Sequence, residues 1–209
     1  MNNKIKVFLI IAGIIVVFGA IGIWLSLNKE TTYIAVNSAR PIRGNPEASI
    51  LIEEFSDFQC PACKSAQGVV DLVVSKYSDQ VKFIYYHFPL TQIHPLAFRA
   101  ALAAECANDQ GKFWEYHDLL FLSQPKFSRT ELLSYAEGLG LDSQSFTACL
   151  DERAKDQVIK TDMAEGNSRN IQGTPTFFVN GEIVKDWSKL EQTVLDLLPQ
   201  PSQATSTVN

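Results

Sequence analysis

The sequence predicts an α/β domain with an inserted block of helices, preceded by one N-terminal transmembrane helix. Three observations support this prediction. An uncharged, mostly apolar stretch from Val7 to Leu27 is long enough to cross the core of a bilayer. A strand–helix–strand order follows over residues 49–88, which implies a right-handed parallel crossover. Later in the chain, Asn180-Gly181 is the tight-turn signal of an antiparallel hairpin.

The N-terminal stretch is predicted to be an uncleaved membrane anchor. Lys4 and Lys6 precede it, whereas the charges of Lys29 and Glu30 cancel after it. This bias keeps the N-terminus in the cytoplasm and sends the rest of the chain across the membrane. Cleavage as a signal peptide remains the alternative, although the apolar run exceeds the ~7–15 residues that are typical of signal peptides.

The soluble part is therefore expected outside the cytoplasm, anchored to the cell membrane or, after cleavage, periplasmic or secreted. Disulfide bonds persist in such compartments. The chain carries 18 basic and 23 acidic side chains, and without Lys4 and Lys6 its net charge is −7. This acidic balance argues against nucleic-acid binding, which needs a basic surface.

The composition divides the chain into four segments. The anchor covers residues 1–27, and residues 28–47, which are polar and contain prolines and a glycine, are expected to be a linker. Residues 48–198 are long enough for one domain with a sizeable core. The polar residues 199–209 are expected to be a disordered tail.

The domain begins with a strand, a helix and a second strand. Ser49–Phe55 is apolar enough for a buried strand, and Val81–Phe88 is rich in β-branched and aromatic residues. Pro61–Tyr77 lies between them and has a helical pattern, with proline in the first turn, where its missing N–H costs nothing.

A block of helices from about residue 91 to 170 interrupts the strands. Because sheet strands resume after it, the block is expected to be an insertion into the α/β domain. Its predicted helices are Pro95–Asn108, Lys112–Ser123, Arg129–Gly138, Ser143–Arg153 and Asp156–Ser168.

The last part of the domain is predicted to be a hairpin and a helix. The hairpin strands are Thr176–Asn180 and Glu182–Lys185, joined at the tight turn. A final helix, capped by Asp186 or Ser188, is expected to end near Leu198.

The motif Cys60-Pro61-Ala62-Cys63 follows the first strand and opens the first helix. Two cysteines within one helical turn fall inside the ~4.4–6.8 Å Cα separation that a disulfide needs. A helix N-terminus also stabilises negative charge, and the thiolate is the form of cysteine that exchanges disulfides. The motif therefore predicts a reversible dithiol.

Zinc binding and an inert cysteine pair are the alternatives for this motif. A structural zinc site needs a second cysteine pair or a pair of histidines at close spacing. The remaining cysteines, Cys106 and Cys149, stand alone, and the three histidines match no recognised metal spacing. Redox chemistry without a metal is the interpretation that we favour.

The pairing of this motif with Gly-Thr-Pro-Thr-Phe-Phe-Val-Asn-Gly at residues 173–181 resembles the DsbA-like thiol:disulfide oxidoreductases of bacterial cell envelopes. The run of residues 110–118 is also typical of that family. The resemblance covers about residues 48–198 and implies a thioredoxin-like fold with an inserted helical subdomain. It also implies catalysis without an organic cofactor or a metal.

The resemblance implies that Pro175 is a cis-proline packed beside the dithiol. Thr174 then offers backbone N–H and C=O groups to an extended substrate segment, which is a form of β-augmentation. The alternative is an ordinary loop proline before a strand.

Glu54 lies on the strand that carries the motif. The resemblance implies a buried acid at this position that moves protons to and from the second cysteine, and burial raises the pKa of a carboxyl group. Glu53 is expected to face the opposite side of the sheet. The alternative for Glu54 is a solvated residue near the end of the strand.

The two cysteines of the motif are expected to play different roles. Cys60 at the helix start should be exposed and act as the attacking thiolate, and Cys63 should resolve the mixed disulfide. The strongest oxidants of the family carry histidine where this chain has Ala62. The pKa of Cys60 is still expected to lie below that of a free thiol.

Cys106 and Cys149 lie on apolar faces of predicted helices. They are either buried free thiols, which pack as small hydrophobic residues, or a structural disulfide. Their even number in an oxidising compartment favours pairing, and some members of the family carry a cysteine pair in this region.

The function expected from these features is disulfide formation in exported proteins by a membrane-anchored, extracytoplasmic enzyme. Its partners would be reduced or misoxidised exported proteins and a quinone-linked membrane protein of the DsbB-like or VKOR-like type, and the enzyme is expected to be a monomer. A reductase or isomerase using the same site is the first alternative. The second is a non-catalytic envelope module that binds peptides beside Pro175.

Overall fold

The computed structural model describes residues 18–19 and 39–199. Apart from residues 18–19, the predicted transmembrane helix lies outside the described residues, as do most of the predicted linker and nearly all of the predicted tail. Among the helices of the described part, none is both long and apolar enough to cross a membrane.

The described part contains a mixed sheet with the strand order β1-β3-β2-β4-β5. Its central pair, β2 and β3, is parallel, and the other neighbours are antiparallel. The strands are β1 (Ile42–Gly44), β2 (Ile50–Ser56), β3 (Val81–His87), β4 (Thr176–Val179) and β5 (Glu182–Val184).

Strand β1 corrects the predicted boundary of the linker, because residues 42–44 belong to the sheet. Ile42 pairs with Ile84 at the edge of β3. Gly44 has a φ of +81°, and a Cβ atom there would lie 2.3 Å from the Val81 carbonyl oxygen. The glycine that suggested a linker is therefore required by the close approach of β1 to the start of β3. A three-residue strand is too short to produce a periodic signal.

The helices agree with the predicted ones to within two residues at either end. Helix α1 (Pro61–Lys76) connects β2 to β3. The inserted block contains α2 (Ala97–Asn108), α3 (Phe113–Ser123), α4 (Arg129–Gly138), α5 (Ser143–Asp151) and α6 (Asp156–Ser168). After the hairpin, a 3₁₀ turn (Trp187–Lys189) leads into α7 (Leu190–Leu197), and Asp186 caps that turn by accepting a hydrogen bond from the Ser188 N–H.

Helix α2 is the most deeply buried helix of the insertion because small side chains cover most of its surface. Its buried alanines are Ala97, Ala100, Ala101, Ala103, Ala104 and Ala107. Cys106 on α2 forms a disulfide with Cys149 on α5, with an S–S distance of 1.96 Å and a Cα–Cα distance of 5.8 Å. The bond joins two helices of the insertion whose cysteines are 43 positions apart in the sequence.

The two faces of β2 are packed differently. Glu53 lies on one face and receives a two-pronged hydrogen bond from Arg169, at 2.9 and 3.1 Å. The guanidinium group of Arg169 also lies 5.3 Å from the centre of the Phe55 ring. Glu54 points to the other face, where α1 covers the sheet, so the two adjacent glutamates have opposite surroundings.

Candidate active site

The dithiol motif lies at the junction between the end of β2 and the start of α1. Cys60 is the N-cap residue of α1, with an extended backbone, and Pro61 occupies the first turn. No side chain caps this end of the helix. The first backbone N–H groups of α1 are therefore available to a negative charge on the Cys60 sulfur.

Cys60 is more deeply covered than the sequence predicts. We expected an exposed side chain, and this expectation is wrong, because the residue is only 7% exposed. Its Sγ lies 3.4 Å from the carbonyl oxygen of Thr174, in the loop where the Thr174–Pro175 bond is cis. The Thr174 carbonyl therefore covers part of the Cys60 sulfur.

The pKa of Cys60 is lowered to about 5. The main cause is a hydrogen bond from the Cys63 thiol, and the backbone N–H groups of Ala62 and Cys63 add to it, against the opposing effect of burial. Near neutral pH Cys60 is therefore almost entirely a thiolate.

Cys63 has the opposite electrostatic environment. It is fully buried, and burial raises the pKa of its thiol well above the ordinary value, with the Cys60 sulfur and the Glu54 carboxyl adding to the effect. Both motif cysteines are free thiols in the structure. One sulfur of the pair is thus held as a thiolate and the other as a thiol.

Glu54 is completely buried on β2, and burial raises the pKa of its carboxyl group to about 7. Its Oε1 accepts a long hydrogen bond of 3.4 Å from Gln67, whose amide also lies 3.4 Å from the Cys63 carbonyl oxygen. Among the described residues, none forms a hydrogen bond with Oε2. The carboxyl group can therefore exchange a proton near neutral pH.

Gln67 also lines a small cavity. Its volume is about 200 Å³, and it is lined by Lys64, Gln67, Asp71, Asp118, Phe121 and Leu122. Gln67 therefore both lines this cavity and hydrogen-bonds the buried carboxyl group.

A larger cleft runs along the loop that precedes β4. It has a volume of about 420 Å³ and is lined by residues 169–176 together with Ile183, whose side chain is 55% exposed. Thr174 and Pro175 both line this cleft, and the Thr174 carbonyl contacts the Cys60 sulfur. The structure thus brings together the predicted residues Cys60, Cys63, Glu54, Thr174 and Pro175, whereas the Cys106–Cys149 disulfide lies in the helical insertion.

Sequence reasoning did not find the partners that hold the turn before Cys60. Asp57 is 1% exposed and accepts hydrogen bonds from the Leu90 N–H and from His94. Gln124, at the end of α3, donates to two carbonyl oxygens of the turn. The sequence places Asp57 beside the motif, but it contains no local signal for Gln124, which lies more than 60 positions after the two residues it binds.

Known proteins resemble the chain in both sequence and fold. A family model described as thioredoxin matches residues 37–196. A thioredoxin-like oxidoreductase from Silicibacter pomeroyi is 28% identical, with a TM-score of 0.67, over 81% of this chain and 96% of that one. BdbD from Bacillus subtilis in its oxidised form is 23% identical, with a TM-score of 0.67, over 79% of this chain and 98% of that one. The thiol-disulfide exchange protein alpha-DsbA2 from Wolbachia pipientis is 20% identical, with a TM-score of 0.68, over 83% and 94% of the two chains.

The curated relatives are much longer proteins. The Na(+)/H(+) antiporter NhaA 1 of Salinispora arenicola is 41% identical over 140 residues, which are 67% of this chain and 21% of that protein. The protein of the same name from Mycobacterium sp. (strain KMS) is 36% identical over 165 residues, 76% of this chain and 27% of that protein. The chain thus spans about a quarter or less of the length of these relatives.

Proposed function

This chain belongs to the thioredoxin family, and we propose that it is a DsbA-like thiol:disulfide oxidoreductase whose Cys60 and Cys63 introduce disulfide bonds into exported proteins. The observation that carries the proposal is the unequal environment of the two sulfurs. A stabilised thiolate on Cys60 favours the reduced form of the enzyme, and a dithiol with a stable reduced form is a strong oxidant.

The reaction begins from the oxidised enzyme. A substrate thiolate attacks the Cys60 sulfur, a mixed disulfide forms, and the Cys60–Cys63 bond breaks. Cys63 leaves and takes a proton from Glu54, because its buried thiolate is unfavourable. A second substrate thiolate then attacks the substrate sulfur of the mixed disulfide and releases Cys60 as a thiolate. The substrate loses two electrons to the enzyme, which ends as the dithiol.

The substrate is proposed to bind as an extended segment along the cleft beside Thr174 and Pro175. Backbone hydrogen bonding of this kind places little demand on substrate sequence, which suits an enzyme that acts on many exported proteins. The position of the Thr174 carbonyl next to the Cys60 sulfur supports this arrangement. Ile183, which is exposed at the same cleft, offers an apolar contact for a substrate side chain.

The proposed setting is the outer side of the cell membrane, with residues 7–27 as the anchor and a quinone-linked membrane partner of the DsbB-like or VKOR-like type as the re-oxidant. The apolar stretch and its flanking charges support this setting. Protease added outside intact cells or spheroplasts should digest residues 28–209 and leave a short N-terminal stub. Full protection would contradict the orientation.

The reduction potential of the Cys60–Cys63 pair, measured against a glutathione series, tests the direction of the reaction. An oxidase is expected near the value of about −120 mV known for strong oxidants of this fold. A value at or below about −270 mV, which is typical of thioredoxin, would instead favour a reductase. A non-catalytic module is distinguished by the absence of mixed disulfides in Cys63→Ala.

A further inference from the structure

The turn Asp57–Cys60 is held by side-chain hydrogen bonds that reach it from two directions. On one side, Gln124 at the C-cap of α3 uses its Nε2 to donate to the Phe58 carbonyl oxygen at 2.7 Å and to the Cys60 carbonyl oxygen at 3.0 Å. One amide group of the helical insertion thus binds both Phe58 and Cys60, the first and the last of the three residues that precede α1.

On the other side, the turn binds the segment that follows β3. Asp57 accepts a hydrogen bond from the Leu90 N–H at 2.8 Å, and Gln59 accepts one from the Leu96 N–H at 2.8 Å. Every residue of the turn therefore takes part in a hydrogen bond that fixes its position relative to the rest of the domain.

The Gln124 contact matters for the sulfur because of where the Cys60 carbonyl lies. This carbonyl also accepts the first hydrogen bond of α1, from the Lys64 N–H at 3.2 Å. When Gln124 holds the Cys60 carbonyl group, it fixes the backbone torsion angles of this N-cap residue. These angles decide whether the backbone N–H groups of Ala62 and Cys63 point at the Cys60 sulfur.

We propose that Gln124 is a positioning residue for thiol–disulfide exchange, which holds the N-cap carbonyl so that the start of α1 faces the Cys60 sulfur. The inference rests on the proposed function of the dithiol. It assigns the helical insertion a role in setting the reactivity of a cysteine that the insertion does not itself contain.

The chain offers a matched control in Gln110, which lies in the same helical block and is also half-buried. Its Nε2 donates to the Asp142 carbonyl oxygen at 3.3 Å, and its Oε1 accepts from the Asp142 N–H at 2.7 Å. Gln110 therefore braces a backbone turn as Gln124 does, but at the start of α5 rather than at the dithiol.

The experiment compares Gln124→Met with Gln110→Met in the full chain, since methionine has a similar length and no donor. The ultraviolet absorbance of the thiolate is titrated against pH, and the equilibrium with glutathione is measured. Titratable groups around the sulfur, namely Cys63, Glu54, Asp57 and His94, are unchanged in both variants. Gln124→Met should shift the Cys60 titration upward and change the glutathione equilibrium by roughly three- to tenfold, the effect of losing the hydrogen bond to the Cys60 carbonyl.

Gln110→Met should lower the melting temperature and leave both redox measurements at the wild-type values. Equal redox shifts in the two variants, or a loss of thermal stability alone in Gln124→Met, would overturn the inference. If Gln124→Met does not fold, Gln124→Leu replaces it, since it also removes the donor and adds no charge.

These measurements separate the inference from the proposed function. The thiolate titration reports the surroundings of Cys60 whatever the direction of electron flow in the cell. A reduction potential typical of a reductase would therefore contradict the proposed function while the difference between Gln124→Met and Gln110→Met still decides the role of Gln124.

Discussion

The two cysteine pairs of this protein are equally buried but chemically different. Cys60 and Cys63 are 7% and 0% exposed, and Cys106 and Cys149 are 1% exposed each. Only the first pair lies at an uncapped helix N-terminus, next to the Thr174 carbonyl and a buried carboxyl group. The second pair joins α2 to α5 through their apolar faces. Burial therefore does not distinguish a redox-active pair from a structural one, whereas the electrostatic environment does.

The same contrast appears between the adjacent residues Glu53 and Glu54. Glu53 is held by Arg169 on one face of the sheet, so its charge has a partner. Among the described residues, no cation lies within hydrogen-bonding distance of Glu54, and burial raises the pKa of its carboxyl group to about 7. A buried carboxyl group without a cation lowers the stability of the fold. Groups of this kind occur at functional sites, where their chemistry requires the shifted pKa.

The largest expected effect comes from replacing the cysteines of the two pairs by alanine. Cys60→Ala should abolish disulfide exchange, and Cys63→Ala should accumulate covalent adducts with exported proteins, because the resolving sulfur is missing. Non-reducing gels of envelope extracts measure the adducts. The double variant Cys106→Ala/Cys149→Ala should trap nothing. Equal trapping by Cys60→Ala and Cys63→Ala would contradict the assigned roles.

Removing the structural pair should chiefly affect stability. The disulfide closes a loop of 43 positions, so Cys106→Ala/Cys149→Ala is expected to lose ~3–4 kcal/mol of unfolding free energy. Denaturant unfolding measures this loss. The reduction potential of Cys60–Cys63 should stay at its wild-type value, and a large shift in it would show that the two pairs are not independent.

Glu54→Gln should stabilise the protein at high pH and slow its chemistry. Between about pH 4.5 and 7 the unfolded carboxyl is ionised while the folded one remains protonated, so the folded state binds more protons and stability falls as pH rises. The glutamine cannot ionise, so the variant does not lose this stability. Its free energy of unfolding should exceed that of the wild type by about 3 kcal/mol above pH 7 and should equal it near pH 4.

The kinetic test of Glu54 follows the release of glutathione from a mixed disulfide with Cys60. Its rate in the wild type should rise with pH through about 7, as Glu54 becomes able to accept the Cys63 proton. Glu54→Gln should lose this inflection. Glu53→Gln is the matched control, which should lose stability through Arg169 but keep the inflection. An unchanged pH profile in Glu54→Gln would rule out proton transfer by this residue.

The smallest expected effect is that of Ala62→His. A histidinium at this exposed position of the first turn adds a positive charge near the Cys60 thiolate. An exposed ion pair contributes at most ~1 kcal/mol, so the glutathione equilibrium should move by about two- to fivefold toward a stronger oxidant. Ser65→Ala, three residues further along the same helix, serves as a control that adds no charge. No shift in Ala62→His would mean that the backbone N–H groups already stabilise the thiolate fully.

The sequence alone determined the features that depend on neighbouring residues. The helix bounds follow from periodicity over one or two turns, and the position of Cys60-Pro61-Ala62-Cys63 at a helix start follows from the strand before it. The alternation of side chains along β2 placed Glu53 and Glu54 on opposite faces. Each of these predictions uses interactions within about ten residues, which the linear order of the chain records directly.

Only the tertiary structure decided the features that depend on distant partners. The pairing of β1 with β3, the covering of Cys60 by Thr174 and the hydrogen bonds from Gln124 join residues 42, 114 and 64 positions apart, respectively. Single polar side chains such as Gln124 have no periodicity and resemble surface residues in the sequence. Their role arises when the packing of helices and sheet brings a donor within 3.0 Å of one carbonyl oxygen. The motif therefore identifies the reactive cysteines, and the packing around them sets how reactive each one is.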